Sequence, residues 1–452
     1  MQFFILFCVL FRTLFFSITW YTYIALIISF YQFFLLFLTI GTFIPIRSLS
    51  GLFMCVQMLV GPSFAYNGMD VFQEGYYKMQ IPEAEYFNYA IPAVLVFIFG
   101  LNIKSERLQG ERPNVSKIKE FVKFNESVPF VFIAVGFFAG FSINYFSSDL
   151  KFVFSVLSVF KFIGLFLIIL GEKKIKPTYL IFVMGSIIST SIAQGMFFDF
   201  LTWVIFLSSI YAIKFKPSFY LKILFTIFLV FLAFIIQQLK GEYREATWVQ
   251  GQQANIQTMT KALKKKDQKS GIFSLESLAS ANLRINQGYI ITNIMKTVPE
   301  IVPFQNGDEL KLILESALLP RIIAPDKLNA GDRMIFMKYT NFPVIEGTSM
   351  GLSSLGDAYI NFGVIGGCLF MLFYGLIFNL FLKMIYKNSF KYPILILFSS
   401  VIFYYPMRPD CELQTILGHL LKSTFIVFVI INIWSYKFRY KKNKISYKFS
   451  EV

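Results

Sequence analysis

Charge is scarce in this sequence, and so are the residues that build metal and redox sites. Of 452 residues only 15% are charged, there is one histidine, His419, and there are four cysteines. Cys8, Cys55 and Cys368 fall in apolar runs, Cys411 lies in a short loop, and no CxxC pair occurs. That pattern supports neither a zinc site nor a disulfide framework, so no metal and no cofactor is expected. The N-terminus runs straight into apolar sequence with no A-x-A-like site, so no cleavable signal is expected. No segment recurs at a fixed period, which gives no support to a repeat architecture.

Apolar sequence fills the space that charge leaves. The chain is 56% hydrophobic and 19% aromatic, with 57 Phe, far more than a soluble domain can hide. Its mean hydropathy is +0.61. Runs near the length of one bilayer-spanning helix, about 20 residues, recur along it. The expected fold class is an all-α multi-pass membrane protein of an inner or plasma membrane. The net charge of +16 does not point to nucleic acid, because the basic residues sit mostly in short loops between apolar runs. There they set orientation by the positive-inside rule. The tail Lys437–Lys444 reads as a cytoplasmic anchor near anionic lipid headgroups.

Residues 1–45 are long enough for two helices, joined near Trp20 and Tyr21. Further spans are expected at about 49–66, up to Asn102, 128–146, 152–171, 178–195, 198–213 and 218–237, then 353–383, 392–407 and 417–436. The total is about 12, with both termini cytoplasmic. Basic loops around Arg47, Lys104–Lys123, Lys173–Lys176, Lys214–Lys216 and Lys383–Lys391 fall inside on that count. The chain therefore divides into 1–237 (N-terminal membrane helices), 238–352 (a large periplasmic loop, partly helical), 353–436 (C-terminal membrane helices) and 437–452 (basic tail). Within the loop, Leu275, Leu278, Asn282, Ile285 and Tyr289 recur at helical spacing. Ile256, Met259 and Leu263 mark a shorter amphipathic helix. A loop of that length is usually functional or a small domain.

The stretch 319–367 is the most chemically loaded. Pro320, Pro325 and Gly331 break it, Arg321, Lys327 and Arg333 charge it, and a membrane helix then opens with Asp357, Tyr359 and Asn361. Asp357 and Asn361 share a helical face, and Gly363 with Gly367 makes a GxxxG pair. Outer-side arginines at 244, 284, 321 and 408 offer planar forks for phosphate oxygens. Such a set would stabilise a lipid diphosphate leaving group without a metal. Asp357 is the best-placed general base for an attacking hydroxyl, with Glu346, Asp410 and His419 as alternatives. Each has a plainer explanation in topology, ion pairing or structural packing.

The runs Arg284–Gly288, Val298–Pro299, Leu319–Lys327 and Gly356–Gly363 together resemble the bacterial O-antigen polymerases (Wzy-type oligosaccharide repeat-unit polymerases), over roughly residues 240–410. The family usually carries Glu where this chain has Asp357. The resemblance implies a metal-independent glycosyltransferase with a GT-C-like fold. It would transfer a glycan from undecaprenyl diphosphate to another lipid-linked repeat unit on the periplasmic face. Asp357, Arg321 and Arg408 would then be catalytic, while Arg244, Arg284, Lys327, Tyr359 and Asn361 would bind diphosphate or glycan. Its partners would be the lipid-linked glycans, membrane lipids, and a chain-length regulator and flippase of the same pathway. The alternatives are an O-antigen ligase, in which a catalytic outer-loop His is expected, and a polysaccharide flippase or other transporter, in which charge at mid-membrane and two related halves are expected.

Overall fold

Helices form wherever an apolar run is long and free of breakers, and every regular element among the described residues is helical. The computed structural model describes residues 11–13, 17–71, 73–103, 112–146, 148–171, 177–195, 197–271, 274–319, 323–324, 327–328, 331–346, 350–434 and 438. In chain order the first helices are α1 (Trp20–Thr39), α2 (Ile46–Met69, partly π-helical), α3 (Glu83–Asn102), α4 (Val115–Phe124) and α5 (Val128–Ser142). They are followed by α6 (Ser148–Ser158), α7 (Phe160–Leu170), α8 (Pro177–Gln194), α9 (Phe198–Phe215) and α10 (Phe219–Arg244). The large loop folds into α11 (Ile256–Ser270), α12 (Leu275–Ile285), α13 (Gly288–Thr297), α14 (Asp308–Leu318) and α15 (Arg333–Thr340). The chain closes with α16 (Ser353–Ser389), α17 (Pro393–Ile402) and α18 (Leu413–Ile433).

Nine stretches among the described residues are long and apolar enough to cross a bilayer: α1, α2, α3, α5 with its extension to Tyr145, α6–α7 together, α9, α10, α16 and α18. The span expected at 178–195 is helical over that length as α8, whereas the one expected at 392–407 is helical but shorter. At the second, Pro393 opens six residues of 3-10 helix and only four residues of α-helix follow. The first expected span lies mostly outside the described residues. The basic loop 104–123 also departs from expectation, because its second half forms α4, which buries Ile118, Phe121 and Val122.

One end of the bundle is finished by cations. Helix C-termini leave carbonyls unpaired and carry partial negative charge, so Lys and Arg are favoured there. Lys222 Nζ donates to Ile40 O (2.8 Å) past α1, and Lys214 Nζ to Gly171 O (2.9 Å) past α7. At the end of α3, Lys383 Nζ donates to Ile103 O (3.1 Å), and Arg47 donates to Leu101 O and to Asn379 Oδ1. The basic residues read as topology signals thus also act as helix caps.

The central packing joins α3 to α16. A Cβ at Gly375 would collide with the Phe97 carbonyl oxygen, and one at Gly100 with that of Leu372, so the two backbones touch. The GxxxG pair serves differently. Gly363 (φ 63°, ψ −157°) bends α16 against the Phe304 ring, and Gly367 receives the Tyr89 hydroxyl. Gly375→Ala should cost about 1–3 kcal/mol through forced separation of the helices. A thermal melt in detergent checks this, and an unchanged midpoint would contradict the close contact.

α10 stands apart. Almost none of its apolar stretch is buried, and Leu221, Leu224, Phe228 and Phe231 are exposed. It is held at its ends. Phe219 meets Phe37 edge-on (5.4 Å) beside the Lys222 cap, while Tyr243 Oη donates to Ile192 O (2.7 Å) at the far end. The far end runs on past residue 237, the boundary read from hydropathy, because Lys240, Glu242 and Arg244 are good helix formers.

The large loop corrects one expectation. The periodic run from Leu275 to Tyr289 is two helices, broken at Asn286 and Gln287. Asn286 Oδ1 accepts from Gly288 N (2.7 Å) and Gln287 N donates to Gln57 O (3.0 Å), so side-chain and tertiary bonds replace the helical ladder.

Candidate functional site

Lys240 and Arg244 are four residues apart on α10 and share a face. A Cβ on Gly241, between them, would lie 3.4 Å from Arg284 Nη2, so the Arg284 guanidinium rests against the α10 backbone. Arg284 comes from the last turn of α12 and is exposed. Arg408 arrives from the turn after α17. Lys240 lies within electrostatic reach of Arg244, Arg284, Arg408 and Asp410. Three of the arginines singled out in the sequence therefore converge at one end of the bundle, and Arg321 lies outside the described residues.

Each cation is held differently. Arg244 Nε donates to Gly195 O (3.0 Å), and its guanidinium stacks on the Trp248 ring (4.3 Å). Arg408 pairs with Asp410 Oδ2 (3.1 Å) and reaches Asp199 Oδ1 (3.9 Å), with its guanidinium over Phe198 (4.3 Å). Its Nε is buried without an acceptor among the described residues. Burial would push the Asp410 carboxyl up, but Arg408 outweighs it and holds Asp410 below the usual aspartate range. Lys240 and Arg284 form no hydrogen bond or ion pair among the described residues. Of the neighbouring carboxylates, Asp199 and Asp410 face Arg408, while Glu242 and Glu245 on the α10 side pair with Lys265 (3.0 and 3.8 Å). Guanidinium groups with donors to spare suit a phosphate group. Lys240 escaped the sequence reading because a Lys just past an apolar run looks like topology; its spacing from Arg244 was the available signal.

Asp357 sits elsewhere in the same region. It is 4% exposed, and its Oδ2 accepts from Leu413 N (3.1 Å), capping the first turn of α18. It lines a cavity of about 30 Å³ with Glu309, Asp332, Glu412 and Gln414. A space of that size takes a water or a single hydroxyl, not a sugar ring. Glu309 accepts from the Tyr339 hydroxyl (2.6 Å), and Glu412 from Gly331 N (2.7 Å) and Thr415 Oγ1 (2.8 Å). Burial raises the Glu412 carboxyl above its ordinary value, against those two hydrogen bonds. Among the described residues Asp357 is flanked by carboxylates, and most of the loop 320–330, expected to empty its cations onto Asp357, lies outside the described residues. The turn from Arg408 to Leu413 links this cavity to the cation cluster, carrying Arg408 at one end and the Leu413 N–H that meets Asp357 at the other.

The remaining expected site residues are committed to the protein itself. Lys327 Nζ donates to Ser316 O (3.2 Å) and Leu319 O (2.5 Å), capping the end of α14. Arg333 Nη1 donates to Val344 O (3.2 Å). Asn361 accepts from Leu310 N (3.2 Å) in the first turn of α14 and donates to Asp357 O (2.9 Å). Tyr359 is buried, edge-on to Tyr89 (5.2 Å) and Phe304 (5.8 Å). His419 lies inside α18, with Nε2 3.0 Å from Val401 O and its ring against Tyr405. Glu346 is exposed, away from the cavity lining. Among the described residues no group of three or more His, Cys, Asp or Glu has the arrangement of a metal site.

Fold and site together define a helical membrane protein with cations gathered at one end of its bundle. Comparison with protein-family models, curated proteins and solved structures finds no match.

Proposed function

We propose that this protein is a membrane glycosyltransferase that polymerises lipid-linked oligosaccharide repeat units into O-antigen or a related surface polysaccharide. The convergence of Lys240, Arg244, Arg284 and Arg408 carries the reading. In this scheme an acceptor hydroxyl attacks the anomeric carbon of the donor glycan, and the bond to undecaprenyl diphosphate breaks. The departing diphosphate takes the electron pair and is neutralised by the four cations. The hydroxyl proton passes to Asp357 through a water held in its cavity. The likeness of Gly356–Gly363 to the polymerase motif supports the same assignment. On this reading the cation cluster and the large loop are periplasmic, and the cytoplasmic ends of α1, α3 and α7 are those capped by Lys and Arg. The ligase alternative fits less well, because the chain's one histidine, His419, is packed inside α18.

Deleting the gene tests the proposal directly. The mutant should cap its lipid with a single repeat unit in place of a ladder. An unchanged ladder would end the reading, and polymer accumulating on the lipid carrier would mark a ligase instead.

A further inference from the structure

The loop between α2 and α3 holds a pair of aromatic rings that the reaction above leaves unused. Gly75–Tyr77 forms one turn of 3-10 helix, and Tyr76 and Tyr77 are 37% and 43% exposed. Tyr76 stacks on Phe342 (5.0 Å, 14°), and Tyr77 meets the same ring edge-on (5.1 Å, 89°). Tyr77 also packs at 5.7 Å from Tyr289, and Arg284 lies within electrostatic reach of both Tyr77 and Tyr289. The aromatic pair therefore adjoins the cation cluster.

This loop is fastened rather than loose. Asn293 Nδ2 donates to Tyr76 O (2.9 Å), Gln80 N donates to Thr292 Oγ1 (3.1 Å), and Tyr66 Oη donates to Ile81 O (2.9 Å). Exposed aromatics are common in the belt where a membrane protein meets the lipid surface. These two differ in their support, since Phe342 belongs to the large loop between α15 and α16, not to a spanning helix. Rings held rigidly, half in water and beside a phosphate-binding cluster, suit a ligand that is polar at its edge and apolar on its face. A pyranose ring has that character, and an aromatic platform orders it at little cost in side-chain entropy.

We propose that Tyr76 and Tyr77 form a subsite for a sugar ring of the glycan whose diphosphate occupies the cation cluster. The inference rests on the polymerase reading and adds where the glycan lies. The full-length protein in nanodiscs provides the test. Two probes are compared: undecaprenyl diphosphate without sugar, and the undecaprenyl-diphosphate-linked glycan that accumulates in the deletion strain. Tyr76→Ala with Tyr77→Ala should weaken the glycosylated probe by about tenfold or more and leave the bare diphosphate within about twofold. Tyr76→Phe with Tyr77→Phe, which keeps the rings, should retain most of the affinity. Equal losses for both probes, or no loss for either, would overturn the subsite. A wild-type protein that binds neither probe, or a deletion strain that accumulates no such glycan, would instead remove the reaction on which it depends.

Discussion

Arg408→Ala should abolish polymerisation and destabilise the protein by about 3 kcal/mol, near the low end for breaking a buried ion pair. The low end applies because the Arg408 side chain is 19% exposed. Asp410 would lose the cation that depresses its carboxyl, and its Oδ1 already has no partner among the described residues. Arg408→Ala combined with Asp410→Asn should therefore regain most of the stability and none of the activity. Arg408→Lys should do little better than alanine for activity, because an ammonium cannot fork towards both Asp199 and Asp410. The pair also sets a pH limb. A depressed carboxyl stabilises the fold above the ordinary aspartate range, and that contribution fades as the pH falls through its lowered value. The variant should lack this acid limb. Thermal melts across pH and the glycan ladder check all of these outcomes, and a normal ladder in the alanine variant would remove Arg408 from the site.

The second large effect concerns binding alone. Arg244→Ala with Arg284→Ala should weaken undecaprenyl diphosphate binding by at least about a hundredfold, since each charge-assisted hydrogen bond is worth about 1.5–3 kcal/mol. The protein should stay folded, because Arg284 makes no hydrogen bond or ion pair among the described residues, and the Tyr243 bond to Ile192 O still fixes the end of α10 when Arg244 gives up its bond to Gly195 O. Lys240→Ala alone should cost less, about tenfold, as a single point charge. Wild-type affinity should fall with added salt, and the double variant should show a shallower dependence. Titration of the lipid into the protein in nanodiscs gives both numbers. Retained tight binding in the double variant would show that the cations serve only to pack the helix ends.

Hydropathy is a local property, so most of the membrane helices were legible: the run ending at Asn102 and the run beginning at Ser353 behave as their composition dictates. Breaks decided by single bonds were not. Nothing local announces that Asn286 will cap Gly288 and split one periodic stretch in two, or that Gly363 rather than another glycine bends α16. The site divides in the same way. Arg244, Arg284 and Arg408 stood out as guanidinium forks on the side of the chain expected to face outward. The surroundings of Asp357 were hidden, because Glu309, Asp332 and Glu412 come from three distant segments that meet only through tertiary packing. Tyr359 and Asn361 belonged to a recognisable motif, yet their side chains are occupied in holding α14 and α3 against α16.

The isolation of α10 has a mechanical consequence. Its 26 residues make a rod about 39 Å long, anchored at the Lys222 end and again at Tyr243 and Arg244, with the apolar middle exposed. A thinner bilayer would tilt such a rod and slide Lys240 and Arg244 past Arg408, which hangs from a different helix pair. On the proposed function, membrane thickness would then tune how tightly the cluster grips a pyrophosphate. Lipids of different acyl length should then grade polymer length or yield without touching a single residue.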